Sequence, residues 1–237
     1  MLGNNYLFRH LPRAEQRLLF PCRELITLTA REQLDPIGHP IHYLYFPLTA
    51  AISVLHMDLQ SGRGVEGAVI GPEGCTSSYF TEGLKSSPCQ TLIQVGGLAY
   101  RVGVKDLMSR LPKLPIFERM VRRFNGVIFR HIILSLGCNH FHSVEQRLGR
   151  WLLAHHHRTG LKELAFTHDF LSQQLGVQRV TVTKILTALQ KQGIVAYAYG
   201  KLELQNVGAL KKIACECFSL AKQAIDDYLT EIRSYRS

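Results

Sequence analysis

Between Pro115 and Phe141 the side chains Phe117, Met120, Phe124, Val127, His131, Leu134, Cys138 and Phe141 recur at alternating intervals of three and four, an apolar series interrupted only by His131. A seam of more than three heptads predicts one long helix with a stripe narrow enough to face another helix. Val121, Ile128, Ile132, Ile133 and Leu136 make a second apolar surface on the same rod. Two apolar faces require two partners. We assign the second surface to the preceding domain and the seam, Phe117, Met120, Phe124, Val127, His131, Leu134 and Cys138, to a second copy of the chain.

The pattern differs on either side of this helix. Upstream, short β-rich runs recur (IHYLYFP at 41–47, AISVLHMDL at 51–59, GVEGAVIG at 64–71, TLIQVGGLAYRV at 91–102), separated by turn formers such as Ser61-Gly62-Arg63-Gly64 and Gly71-Pro72-Glu73-Gly74. Close spacing of short strands predicts a small antiparallel barrel or roll, preceded by a helix near 12–20 that opens at Pro12. Downstream, Ser143-Val-Glu-Gln has the form of a capping box opening another helix, which carries Leu148, Trp151, Leu152 and three consecutive histidines and stops at Gly160. His155, His156 and His157 point in three directions around a helix, so they cannot share a metal; they read as a polar helix end.

The 237 residues suffice for two domains, and 46% hydrophobic content excludes a disordered chain. No run approaches the roughly 20 apolar residues of a membrane span. The best, Val127 to Phe141, is broken by Arg130, His131 and Asn139. The N-terminal residues have no apolar run after a basic head, so a cytoplasmic protein is expected, with its six scattered cysteines reduced. The formal charge of +10 is unevenly placed: residues 1–110 hold 10 Lys and Arg against 9 Asp and Glu, whereas 111–237 hold 18 against 9. The second half is therefore suited to a polyanion.

Within that half, HDFLSQQLGVQRVTVTKILT (168–187) fits the twenty-residue helix-turn-helix template. Ser172 is the small residue where two helices approach, and Gly176 stands where the turn needs a left-handed backbone. Leu171, Leu175, Val177, Val182 and Ile185 fill the apolar places. With Val182, Ile185, Leu186 and Leu189 inward, Gln178, Arg179, Val180, Thr183 and Lys184 line the outer N-terminal face, the end by which a recognition helix enters the major groove. Arg179 suits a bidentate pair with guanine, worth about 1–3 kcal/mol of discrimination. Val180 offers apolar contact to a thymine methyl, Thr181 and the helix cap Thr167 suit phosphates, and Lys184 reaches either. GIVAYAYGKLELQN (193–206) reads as a two-stranded wing around Gly200-Lys201, with Lys201 along the phosphates.

A β-rich N-terminal part, a seam helix and a winged helix-turn-helix resemble the Crp–Fnr superfamily of bacterial transcription regulators over essentially residues 5–212. LSQQLGVQRVTVTKILTALQKQGIV is similar to the family's Leu-Gly-x-Ser-Arg-Glu-Thr-Val-x-Arg helix ending before a Gly-Leu-Ile strand. The resemblance implies an α+β chain: a cyclic-nucleotide-binding-like jelly roll (1–112), a dimerisation helix (113–142), a winged helix-turn-helix (143–212) and a helical extension (213–237). It also implies a homodimer on a palindromic site of double-stranded DNA, and contact with RNA polymerase if the protein activates. The family's base-reading Arg falls on Arg179, its phosphate-contacting Thr on Thr181 and its second base-reading Arg on Lys184. Val180 replaces the family's Glu and Gln178 its Ser cap.

The sensor region departs from the family. Cyclic-nucleotide binders use a Gly-Glu pair and, about ten residues on, an Arg for the phosphate. Here Thr76-Ser77-Ser78-Tyr79 is followed by Ser86-Ser87-Pro88-Cys89, and Lys85 is the lone cation between Arg63 and Arg101. A cyclic phosphate would lack its bidentate partner. The iron–sulfur branch needs an N-terminal cysteine cluster, but only Cys22 precedes Cys75; for haem, His39 and His42 would face opposite sides of a strand. None of the three cofactors is expected, nor a metal. Cys215 and Cys217 are read as packing residues of a helical tail (214–233) whose stripe (Phe218, Ala221, Ile225, Tyr228, Leu229, Ile232) docks on its own domain or a partner. A different reading, a cupin-like small-molecule-binding protein, would need His and carboxylate ligands on alternating strand positions, and no such set is found; a nucleotide-binding regulatory protein is argued against by the missing phosphate Arg. Catalytic groupings are likewise missing, so a non-enzymatic regulator is the expectation.

Overall fold

The computed structural model describes residues 5–57, 64–198 and 200–236. Residues 58 and 59 of the expected third strand, the turn residues 61–63 and Tyr199 of the wing lie outside these. The chain divides into two compact units: residues 1–55, 67–132 and 223–237, and residues 56–66 and 133–222.

In the first unit α1 (Tyr6–His10) and α2 (Arg13–Leu19) precede the strands, with Pro12 as the cap of α2, as the proline there predicts. Strands β1 (Arg23–Leu28), β2 (Tyr43–Pro47), β3 (Ala51–Met57), β4 (Gly64–Ile70), β5 (Gln90–Val95) and β6 (Gly97–Gly103) form two three-stranded sheets of order β1-β6-β2 and β4-β3-β5. The pairing is antiparallel, for example from Arg23 opposite Val102 to Leu28 opposite Gly97. Leu44, Phe46, Ile52, Ile93, Ala99 and Val102 point inward and are wholly buried. After α3 (Val104–Arg110), the long helix α4 (Pro115–Phe141) closes this core with Phe117, Met120, Val121, Phe124 and Val127.

Two features seat α4. Both carboxylate oxygens of buried Glu15 accept from the backbone, one from Ile116 N at 2.9 Å and the other from Phe117 N at 2.8 Å, satisfying first-turn donors that no helical carbonyl can reach. Gly74 lets the ring of Phe124 lie against the backbone: a Cβ there would come within 1.9 Å of Cζ. The tail helix α9 (Cys217–Arg233) ends on the same surface. The Tyr228 ring lies tilted against Phe124, centroids 5.8 Å apart, and its hydroxyl donates to Met120 O at 3.2 Å, while Arg123 grips the Glu231 carboxylate with two nitrogens. The tail stripe therefore docks on its own chain.

In the second unit, the last turns of α4 lead into α5 (Val144–Thr159). Its capping box is complete: Ser143 Oγ accepts from Gln146 N, Ser143 N donates to Gln146 Oε1, and Gly160 ends the helix in the left-handed region. Trp151 packs against Phe166 (5.0 Å) and Phe170 (6.2 Å), and His155 stacks on Trp151 at 5.7 Å and meets Phe166 edge-on at 4.7 Å. His155 is thus not part of the polar helix end that the run of three predicts. Its position on the inner face of α5 buries it, and desolvation pushes its pKa down to about 4. The unit continues through β7 (Glu163–Leu164), α6 (His168–Leu175), α7 (Arg179–Lys191), β8 (Val195–Ala198), β9 (Lys201–Leu204) and α8 (Val207–Ile213), with a small sheet of order β7-β9-β8. No helix among the described residues is long and apolar enough to cross a membrane.

Candidate nucleic-acid interface

Helices α6 and α7 are built where the template places them. Thr167 Oγ1 caps α6 by accepting from Phe170 N at 3.1 Å. Gly176 terminates it at φ +65°, a conformation that a Cβ disfavours. Val177 N then bonds back to Ser172 O, and Gln178 starts α7 without a side-chain cap bond, since its longer side chain replaces the short oxygen of a Ser. Leu171, Leu175, Val182, Leu186 and Leu189 are buried; Val177 and Ile185 are half-buried at the edge of this core.

Inward anchoring leaves an outward face. Gln178, Arg179 and Lys184 are exposed, and Val180 is 60% exposed, a large value for an apolar side chain in the first turn of a helix. Arg179 Nε lies 3.5 Å from Asp169 Oδ1, both well exposed, an ion pair that water weakens to well under about 1 kcal/mol. Thr181 is half-buried at the side of the helix. Thr183 is already committed: its hydroxyl donates to Arg179 O at 3.1 Å and meets His168 Nδ1 at 2.8 Å. It braces α7 against α6 rather than standing free on the outer face. Burial, reinforced by the Arg179 charge, holds the His168 imidazole below its ordinary pKa. Tyr197 from β8 covers the same ring at 4.3 Å. On the wing, Lys201 Nζ pairs with Glu163 Oε1 at 2.8 Å across the β7–β9 ladder, and the carboxylate raises its pKa.

The expected dimer face needs correction. Phe117, Met120, Phe124, Val127, His131 and Cys138 are all buried within the single chain, and Leu134 is half-buried, so this seam is filled before any second copy arrives. Of the alternative surface, Val121 is buried as well, but Ile132 (40%), Ile133 (50%) and Leu136 (67%) are exposed, together with Phe129 (66%). The 3-4 spacing marks both faces of α4 equally; which one is covered depends on the sheets and α9.

In the roll, the two segments that stand in for a phosphate cradle are bonded to each other. Ser77 Oγ donates to buried Asp35 Oδ2 at 2.9 Å, Thr91 Oγ1 donates to the same oxygen at 3.2 Å, and Tyr79 and Ser87 share a 2.7 Å bond. Burial raises the Asp35 pKa against the pull of these donors, and lifts that of Tyr79 to about 12. His39, His42 and His56 are exposed. The packing role expected for Cys215 and Cys217 misses a grouping. Helix α9 begins only at Cys217, and Cys215 follows an extended Ala214, so the two thiols converge with Cys138 and His142. The signal that points there is Cys138-x-x-x-His142, one helical turn apart.

Residues 146–213 match the family described as the Crp-like helix-turn-helix domain. The curated transcriptional regulator SdrP of Thermus thermophilus is 37% identical over 59 residues, covering 25% of this chain and 29% of that protein; the match thus spans less than a third of the relative. Among solved structures, FixK2 of Bradyrhizobium japonicum superposes with a TM-score of 0.67 at 18% identity, covering 81% of this chain and 98% of that one. The c-di-GMP-responsive regulator CLP of Xanthomonas campestris gives 0.67 at 13% identity, over 80% and 97%. Residues 146–213 thus match the Crp-like helix-turn-helix domain, and the chain shares the fold of these two solved structures.

Proposed function

We propose that this chain, with its Crp-like helix-turn-helix domain, is a homodimeric, sequence-specific DNA-binding transcription regulator of the cytoplasm, acting on a palindromic duplex site. The observation that carries this reading is the outward N-terminal face of α7, where Gln178, Arg179, Val180 and Lys184 stand exposed on a helix whose other face is buried. Arg179 reads guanine, Val180 packs on a thymine methyl and Lys184 reaches a base or the backbone. Thr167 and Thr181 meet phosphates, as does Lys201 once phosphate replaces Glu163. Thr183 positions α7. Phe129, Ile132, Ile133 and Leu136 form the dimer face, which presents two recognition helices to one duplex. A regulator that activates would also meet RNA polymerase.

The roll acts without a cyclic nucleotide. What supports this is a carboxylate, Asp35, and a closed set of hydroxyls where a phosphate would need a cation. The exposed setting of His39, His42 and His56 supports the same reading for haem, since none of these three is an enclosed ligand.

The test is binding of the full chain to duplexes selected from a random pool. Arg179→Ala should cost about 1–3 kcal/mol on the selected site and leave random DNA nearly unaffected. An equal loss on both would remove Arg179 from base reading. Affinity should also fall steeply with salt through counterion release. A flat salt titration would overturn the proposal.

A further inference from the structure

The second unit contains a cluster that DNA binding does not use. Cys138 in the last turn of α4, His142 just beyond it, Cys215 before α9 and Cys217 at its start bring one donor atom each to within 4.8 Å of one another. The three thiols are buried, at 0%, 4% and 6% exposure, and form an apolar cluster of their own. Cys138 Sγ and Cys215 Sγ are 3.5 Å apart, and Cys217 Sγ is 3.7 Å from His142 Nδ1. Metal–sulfur bonds of about 2.3 Å and metal–nitrogen bonds of about 2.0 Å, disposed tetrahedrally, place their donors between about 3.5 and 3.8 Å apart. These two edges already have the size that such a site requires.

The surroundings fit the same chemistry. His142 Nε2 lies 3.2 Å from Glu216 Oε1. A carboxylate on one ring nitrogen fixes the tautomer and turns the lone pair of the other toward the thiols, the outer-shell arrangement that metal-bound histidines use. Arg147 and Arg150 flank the cluster, their charges felt at the thiols, and each has a buried Nε without an acceptor among the described residues. Three thiolates around a divalent ion carry a net charge of about −1, and with the Glu216 carboxylate −2, which the two guanidiniums balance.

We infer that Cys138, His142, Cys215 and Cys217 form a tetrahedral site for a thiophilic divalent cation, zinc(II) by donor set and geometry. The ligands bracket the helix-turn-helix domain. Two precede α5 and two follow α8, and Cys138 and Cys215 are 77 residues apart in sequence. The ion therefore closes the domain into a loop, constraining its unfolded state as a long-range cross-link does. This site stands whether or not DNA is the partner.

The test uses the full chain purified under reducing, oxygen-free conditions. Elemental analysis should find about one zinc per chain, and cobalt(II) added to metal-free protein should give the thiolate charge-transfer and tetrahedral ligand-field bands. Cys138→Ser and Cys215→Ser should lose both signals, while Cys22→Ser and Cys89→Ser keep them. Glu216→Gln should retain the cobalt spectrum but weaken zinc affinity roughly 10–100-fold, the scale of outer-shell losses. The wild-type cobalt titration needs no variant to fold. The inference fails if the reduced protein holds no zinc and gives no tetrahedral cobalt spectrum. It fails equally if the serine variants bind as before, if the chain carries an iron–sulfur chromophore, or if the metal-free thiols prove to be a Cys138–Cys215 disulfide.

Discussion

The two units use their polar side chains in opposite ways. In the roll, Asp35, Ser77, Thr91, Tyr79 and Ser87 satisfy one another in the interior. In the helix-turn-helix unit, Gln178, Arg179 and Lys184 are held outward by a helix anchored through Val182, Leu186 and Leu189. A group whose hydrogen bonds are complete inside the fold gains little from a ligand and costs about 1–3 kcal/mol to disturb. A group left in water can exchange it for a base or a phosphate. On the proposed reading, this contrast puts recognition in the second unit.

The contrast breaks most visibly if charge is placed on either side of it. Phe124→Glu puts an unpaired carboxylate into the roll core and should cost about 4 kcal/mol or more, read as loss of cooperative unfolding. Leu136→Glu, on the exposed face of α4, should leave the fold intact and yield monomers by light scattering. A folded Phe124→Glu chain would reverse the assignment of the two faces. Gly74→Ala should come next, at about 3 kcal/mol, because its methyl meets the Phe124 ring; an unchanged urea midpoint would show that the ring moves freely.

The pH response sharpens the comparison from the other unit. With His155 lowered to about 4 from an ordinary 6.5, the unfolded chain takes up a proton that the folded chain refuses. Stability from this group is complete above about pH 6.5 and declines as pH falls toward 4, by up to about 3 kcal/mol. His155→Phe should flatten that slope in urea unfolding across the same window; an unaltered slope would assign it to other groups. The smallest effect is at the interface itself. Asp169→Asn releases Arg179 from an exposed pair and should change stability by no more than a few tenths of a kcal/mol, while modestly tightening DNA. Weaker DNA binding would mean that Asp169 aligns the guanidinium.

Local stereochemistry was readable without coordinates. Ser143 and Gln146 specify a capping box, Gly160 and Gly176 specify left-handed ends, and the spacing from Leu171 to Leu189 specifies which side of α7 is buried, because each depends on neighbours within a few residues. Even here Thr183 escaped, since its partner His168 stands fifteen residues away.

Long-range choices were not readable. Periodicity along α4 reports two apolar stripes but not which stripe the sheets and α9 will cover. Nor can spacing bring Cys138 and His142 to Cys215 and Cys217 across a whole domain. Chain order encodes the conformations that each segment prefers; packing of distant segments selects among surfaces that those preferences leave equivalent.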